Sequence, residues 1–346
     1  MAETDRIGKY CIVTNSDFDF RDSQIVVLDS NVLIDATNYY YGTGASSSVK
    51  EDLHSLFDSL LNVKEVNVAF AITETCRRRV NFDISRARKM SHAIYVLWNS
   101  DQERLRKMFT NRHAPINRDR KWRRGWVSQF EMDSVKCEIP EVVYLFYASF
   151  LRLIELYKDD SRSRDRCFKI FSEWQRDELR CVSLYPTAVA RALLLGRGED
   201  SGKARALLKV DKANLTIDQK AWNASWDCYL MFLLDGYRMG SPYVVGNSNE
   251  LVGTFVKAAL VTAKDQVWID SMTDYMGTIY NGNVPLPLTE NALKIRDDAK
   301  VLAQREYCKD IITCGVRVNN LSFNQVANVI KDIEARLNIN PKTPIT

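Results

Sequence analysis

Three acidic residues, Asp29, Glu74 and Asp227, stand at related places beside the predicted strands of this chain. Asp29 ends the first predicted strand, Glu74 opens the helix after the second, and Asp227 lies in the helix before the third. In a parallel sheet the first two would meet at one edge, where an inward-facing acid on a helix could join them. Because clustered carboxylates repel one another unless a cation neutralises them, the pattern predicts Mg²⁺ or Mn²⁺ at this edge. The corresponding chemistry is metal-assisted hydrolysis of a phosphodiester, in which the metal activates a water and stabilises developing charge.

Each of these acids also has an ordinary structural explanation. Asp29 could be a solvated turn residue, because chains commonly return to water where a buried strand ends. The helix dipole would favour Glu74 in the first turn of a helix, and Asp227 could lie on the solvent face of an amphipathic helix. Asp35 and Asp235 are the nearest competitors for a metal shell.

The elements that position Asp29 are clearly marked in the sequence. Residues 25–28 form a short aliphatic run, which is typical of a buried and central parallel strand. Ser30 and Asn31 are predicted to cap a helix that starts directly after it. An amphipathic helix is predicted over 49–61.

The elements around Glu74 repeat this order. A second strand is predicted over 66–72, and Thr73 is predicted to cap a helix that begins at Glu74 and continues through the arginines that follow. Strand, helix, strand and helix in this order indicate a right-handed parallel unit.

The middle of the chain has a helical pattern, with apolar residues at spacings of three and four. Residues 196–202 are predicted to form a flexible loop, and a third strand over 242–246 is followed by a helix from Leu251. The further predicted helices are 141–157, 166–179, 187–195, 219–237 and 290–311.

Basic residues are concentrated in two segments. Nine arginines and lysines and one acid, Asp119, lie between Arg104 and Arg124, together with Trp122. Such positive density suits a phosphate backbone, and indole rings can stack on unpaired bases; a solvated helix face or loop is the alternative. The residues predicted to contact nucleic acid are Arg118, Arg120, Lys121, Trp122, Arg123 and Arg124 in this segment, and Arg77 and Arg78 in a second basic segment that also contains Arg79, Arg86, Arg88 and Lys89.

Composition excludes several classes of protein. The chain has 346 residues, 46% of them hydrophobic, and a net charge of +4, which is typical of a globular protein with a sizeable core. No segment approaches the ~20 uninterrupted apolar residues of a membrane span, and residues 1–9 lack the apolar stretch of a secretory signal. Eight cysteines without a C-x-x-C pair, and three histidines, argue against structural zinc. The cysteines are predicted to be reduced core residues in a cytoplasmic protein.

The motifs resemble those of the PIN-domain nucleases. Residues 26–34, which run from the first strand through Asp29 into a hydrophobic pair, are similar to the opening motif of that family. Residues 71–74 resemble its second motif, and an apolar run after Asp227 resembles its third. The resemblance covers roughly residues 20–90 and 215–265, and it implies Asp29, Glu74 and Asp227 as catalytic metal ligands for Mg²⁺ or Mn²⁺.

The fourth family motif is altered in this sequence. The resemblance places it over residues 244–250, where an acid is expected, and Ser248 stands there with Glu250 two residues later. Ser248 and Glu250 are therefore weaker candidate metal ligands. The change permits either catalysis by three acids or a loss of activity.

These observations predict a PIN-like α/β/α sandwich with a central parallel sheet. Residues 20–90 and 215–265 are predicted to form a discontinuous nuclease core, residues 91–214 a helical insertion, and residues 266–346 a helical carboxyl-terminal extension. The expected function is metal-dependent phosphodiester hydrolysis, with RNA favoured over DNA. The alternative is a catalytically silent PIN-like module that binds nucleic acid or a protein partner. Assembly into a homo-oligomer is a further alternative for the partner. An enzyme for small phosphorylated metabolites ranks last, because no glycine-rich phosphate loop is present.

Overall fold

A computed structural model describes residues 4–43, 46–78, 81–98, 100, 103, 107, 139–241, 251–263, 299–303, 305–306, 309–310 and 323–339. The chain forms two compact units. The first contains Met1–Ile139 and Phe232–Asp265, and the second contains Pro140–Met231 and Gln266–Thr346. The domain bounds predicted from the sequence stay a prediction.

The first unit is built on a mixed, open sheet of five strands. The seven strands of the described residues are β1 (Thr4–Ile7), β2 (Tyr10–Thr14), β3 (Ile25–Leu28), β4 (Glu65–Asn67), β5 (Arg77–Arg78), β6 (Asn81–Phe82) and β7 (Ala258–Thr262). The sheet has the order β1-β2-β7-β3-β4, and β5 pairs with β6 separately. Strand β3 runs parallel to both of its neighbours, β7 and β4, whereas β1 and β2 are antiparallel. The prediction of an α/β unit is confirmed, but the sheet is mixed rather than wholly parallel.

The central strands are short, aliphatic and buried on both faces. All residues of β2, β3 and β7 are buried, so each strand lacks the alternation of a half-exposed strand. One face, which includes Ile12, Val26 and Leu28, packs against apolar side chains of four helices. These helices are α1 (Ser30–Tyr41), α2 (Ser47–Ser59), α3 (Ala69–Cys76) and α4 (Ile84–Trp98).

The predicted second strand, 66–72, is wrong beyond its first two residues. Strand β4 ends at Asn67, and α3 begins at Ala69, where the Asn67 side chain accepts a hydrogen bond from the Ala69 amide at 3.0 Å. A short apolar run fits a buried helix as well as a buried strand, so its pattern alone does not separate the two.

Thr73 and Glu74 are consequently interior residues of a helix and do not begin one. The Thr73 hydroxyl donates to the Ala69 carbonyl at 2.8 Å, which is the contact of a threonine within a helix. The predicted continuation through the arginines is also wrong, because α3 ends at Cys76 and Arg77–Arg78 enters the β5–β6 hairpin.

The predicted third strand, 242–246, lies outside the described residues. The predicted helix from Leu251 is wrong, because a turn over 251–253 leads into β7. Ala258 and Ala259 favour a helix by intrinsic propensity, but burial between β2 and β3 determines the outcome.

The second unit is helical in its described part. Its helices are α5 (Glu141–Tyr157), α6 (Arg164–Asp177), α7 (Leu184–Leu194), α8 (Glu199–Leu207) and α10 (Phe323–Arg336), and α9 (Ile217–Arg238) extends from this unit into the first. The predicted helices 141–157, 166–179, 187–195 and 219–237 are confirmed with small shifts of their ends. The predicted loop 196–202 is wrong from Glu199 onward, because α8 begins there.

Two expectations from composition can also be compared with the structure. Cys11, Cys76, Cys167 and Cys228 are buried thiols, as predicted. Within the part of the chain that the structure describes, none of the helices combines the length and apolar character that membrane crossing requires.

Candidate functional site

Asp29 lies at the carboxyl edge of the parallel strands. It follows β3, and its amide still donates to the Val261 carbonyl of β7 at 2.9 Å. In the sheet, β3 lies between β4 and β7. The chain passes from β3 to β4 on one side, and the later strand β7 lies on the other side. The boundary between β3 and β7 is therefore a point where the strand order reverses, which is where open α/β sheets bind their ligands.

The Asp29 carboxylate is held by three hydrogen-bond donors. Its Oδ1 accepts from the Ser30 amide at 2.6 Å, and its Oδ2 accepts from the Asn31 side-chain amide at 3.1 Å and from the Thr262 hydroxyl at 2.8 Å. Asp29 is 5% exposed and Thr262 is 1% exposed, so the bond between them is shielded from water, whereas the bonds from Ser30 and Asn31 are partly buried. An ionised carboxylate has about four acceptor positions. This arrangement fixes the orientation of Asp29, and the donors among the described residues leave about one position, on Oδ1, for a further ligand.

A second polar group lies at the end of the neighbouring strand β4. The Asn67 carbonyl oxygen accepts from the first amide of α3, and its side-chain amide donates to the Tyr237 hydroxyl at 3.3 Å. Burial raises the pKa of the Tyr237 phenol, and the Asn67 hydrogen bond opposes that rise. The phenol is consequently neutral at physiological pH. Because β3 and β4 are parallel, the amino termini of α1 and α3 share this edge, and both helix dipoles favour an anion there.

The other two predicted acids are placed differently from Asp29. Glu74 is half-buried within α3, and Asp227 belongs to the second unit, where its carboxylate lies 3.9 Å from the Lys209 ammonium. Among the residues that the structure describes, no group of three or more His, Cys, Asp or Glu side chains is arranged to hold a metal ion. The three-acid site of Asp29, Glu74 and Asp227 stays a prediction.

Asp35, the competitor for a metal shell on α1, is occupied by other contacts. Its carboxylate lies 2.6 Å from the Lys9 ammonium and accepts from the Tyr10 hydroxyl at 3.2 Å. Burial, followed by the nearby Asp35 charge, raises the pKa of Tyr10 above its ordinary value. Asp35 therefore fastens the β1–β2 hairpin to α1.

The strand that pairs with β3 on the side away from β4 points to a different candidate for the fourth metal ligand. The strand beside β3 is β7, which ends at Thr262, and the sequence continues with Ala263, Lys264 and Asp265. The acid that follows this strand in sequence is thus Asp265 and not Glu250. Asp265 is therefore a further candidate ligand, and the short aliphatic run ending in Thr262 is the sequence signal for it. Ser248, Glu250 and Asp265 all lie outside the described residues.

The predicted nucleic-acid contacts are described only in part. Arg77 and Arg78 form β5, with Arg77 half-buried. Apart from Lys107, which pairs with Glu103 at 2.5 Å, the main basic segment lies outside the described residues. This includes Arg118, Arg120, Lys121, Trp122, Arg123 and Arg124.

Comparison with known proteins identifies no relative, since no family model, curated protein or solved structure matches the chain.

Proposed function

We propose that the first unit is the catalytic unit of a cytoplasmic, metal-dependent PIN-like endoribonuclease. The observation that carries this proposal is the place of Asp29, a buried acid at the carboxyl end of a parallel strand where the strand order reverses. Packing does not require a carboxylate at this position. The amino termini of α1 and α3 at the same edge favour the phosphate of a nucleic acid.

The expected cofactor, Mg²⁺ or Mn²⁺, is only partly matched by the described residues. Asp29 supplies one oriented carboxylate, and Mg²⁺ is commonly bound by one or two carboxylates, waters and substrate phosphates. The described residues do not complete such a site by themselves. When bound, the metal would supply an activated water and charge stabilisation. The contribution of Ser30, Asn31 and Thr262 is to hold the Asp29 carboxylate in one orientation.

The second candidate function is a silent PIN-like module that binds nucleic acid or a protein partner without cutting. It is favoured by the hydrogen bonds of Asp29, because the carboxylate accepts from the Ser30 amide as the cap of α1. This capping role explains the acid without any catalysis.

Cleavage assays with Asp29→Asn separate the two candidates. Labelled single-stranded RNA and single-stranded DNA are incubated with protein in Mn²⁺, in Mg²⁺ and in EDTA. Nuclease activity predicts cleavage in either metal, loss in EDTA, and a fall of about 100-fold or more in Asp29→Asn, which is the scale for removing one group that stabilises developing charge. Asp19→Asn is the matched control, because Asp19 is also a capping carboxylate but lies on an exposed turn. A wild-type protein that binds RNA and cuts neither substrate would establish the silent module.

A further inference from the structure

A basic surface of the first unit is formed by the β5–β6 hairpin and the beginning of α4. The hairpin pairs Arg77 with Phe82. Its base is closed by the Asp83 amide, which donates to the Cys76 carbonyl at 2.9 Å. The Asp83 carboxylate then accepts from the Arg86 amide at 2.9 Å and so caps α4. The hairpin and the helix are therefore joined rigidly, and residues 77–89 contain six basic side chains and one acid.

Two cations of this surface are held by aromatic rings. The Arg77 guanidinium carbon lies 5.1 Å from the centre of the Phe82 ring, and the Lys89 ammonium lies 4.7 Å from the centre of the Tyr41 ring. A ring orients a cation without neutralising its charge. We name Tyr41, Arg77, Phe82, Arg86 and Lys89 the hairpin–helix surface.

Two cations of the hairpin–helix surface, Arg86 and Lys89, are open to an outside anion, whereas Arg77 is half-buried. Arg86 and Lys89 are exposed and stand three residues apart on α4, so they lie on the same side of the helix. Within the described ranges, no acid forms an ion pair with Arg77, Arg86 or Lys89. Their charge is consequently available to successive phosphates of a polyanion.

We propose that the hairpin–helix surface binds the phosphate backbone of a single-stranded nucleic acid. The choice of nucleic acid as the ligand rests on the proposed function. Flat rings beneath fixed cations suit a flexible strand, whose phosphates and bases can both adapt to the surface. An anionic membrane fits less well, because among the described residues of this segment the exposed large apolar side chain is Ile84, which offers little area to insert.

The proposal is tested by the salt dependence of binding in EDTA. Anisotropy of a fluorescein-labelled oligouridylate of about 20 nucleotides is measured from about 50 to about 200 mM KCl. Each lost phosphate contact lowers the slope of log affinity against log salt by about 0.7. The variant with Arg77→Gln, Arg86→Gln and Lys89→Gln should therefore lose about 2 from the slope. The matched control, Arg6→Gln, Arg21→Gln and Lys64→Gln, removes the same charge elsewhere on the first unit and should leave the slope unchanged.

Two further measurements test whether the triple variant loses binding through misfolding and whether the surface binds a membrane instead. Because Arg77 is half-buried, the double variant Arg86→Gln and Lys89→Gln, at exposed positions only, repeats the test and should lose about 1.4 from the slope. Vesicles containing phosphatidylserine replace the RNA in a parallel titration. Loss of vesicle binding with unchanged RNA binding would overturn the proposal in favour of a membrane contact.

The remaining outcomes separate this inference from the proposed function. A wild-type protein that does not bind the oligouridylate at the lowest salt, or equal slopes in the triple variant and the wild type, would overturn the inference whatever the cleavage assay shows. Binding in EDTA that depends on the three cations, without cleavage in Mn²⁺, would support the inference and remove the nuclease proposal.

Discussion

Thr262 donates a 2.8 Å hydrogen bond to Asp29, although 233 positions separate the two residues in the sequence. The bond links the ends of β7 and β3 on the buried side of the carboxyl edge. It joins a neutral donor to an ionised acceptor, and such bonds are stronger than bonds between neutral groups. Any ligand of Asp29 at this edge would therefore meet a carboxylate whose orientation Thr262 helps to fix.

The strength of this contact can be measured by a double-mutant cycle. Thr262→Val removes the hydroxyl with little change of shape, and Asp29→Asn removes the charge. We expect a coupling free energy of about 1–2 kcal/mol in urea unfolding, because the bond is buried and one partner is charged. Thr37→Val is the control, since its buried hydroxyl bonds the Leu33 carbonyl on α1 instead. It should be additive with Asp29→Asn, and equal coupling for Thr37 and Thr262 would contradict the expectation.

The local part of the site was predictable, and the distant part was not. The aliphatic run of β3, the acid after it and the helix that follows are encoded within about ten consecutive residues, so the place of Asp29 and the presence of α1 were predicted correctly. The predicted caps were wrong, because Asp29 itself caps α1, which begins at Ser30. Thr262 was missed because its role depends on strand pairing across most of the chain. The prediction of a strand over 66–72 was wrong for another reason, namely that a short apolar run fits a buried helix and a buried strand equally well.

The pairing of β7 with β3 makes a prediction about the fourth acid. If β7 carries the last metal ligand, Asp265→Asn should reduce Mn²⁺-dependent cleavage as strongly as Asp29→Asn does. Asp265 is three residues beyond Thr262, within ~10 Å of it along the chain. Glu250→Gln, at the position first predicted, should then have a small effect. The reverse order of effects, measured in the same cleavage assay, would restore the original assignment.

Gly8 in the β1–β2 turn has a backbone that other residues adopt only with strain. Its φ is +57°, and a Cβ built there would lie 1.9 Å from an oxygen of Asp52. The Asp52 carboxylate also accepts from the Lys9 amide at 3.1 Å, so it is not free to move away without losing that bond. Gly8→Ala should therefore lower the free energy of unfolding by clearly more than the ~1–2 kcal/mol of a left-handed backbone alone. Gly253→Ala supplies the comparison, because φ is +77° there and the space around it is open. Equal losses in the two variants would show that Asp52 moves aside.

Glu155 in the second unit should contribute to acid unfolding. Burial of Glu155 raises its pKa, but hydrogen bonds from Arg336 and Arg152, at 3.0 Å and 2.5 Å, outweigh burial and leave the pKa below its ordinary value. Since the folded state then binds the proton less tightly than the unfolded state, Glu155 stabilises the fold above its ordinary pKa. That contribution is lost as the pH falls through the lowered value.

Glu155→Gln should accordingly flatten the decline in stability below about pH 5. Urea midpoints measured from neutral to acidic pH follow this change, with the wild type and the variant converging at the lowest pH. Glu173→Gln is the control, because Glu173 pairs with Lys169 at 3.5 Å on one helix and does not connect α5 with α10. Parallel pH profiles for the wild type and Glu155→Gln would show that Arg336 and Arg152 do not stabilise the ionised carboxylate. The docking of α10 on α5 would then depend on its apolar side chains, which include Val326, Ile330 and Ile333, and on the Tyr147 bond to Glu334.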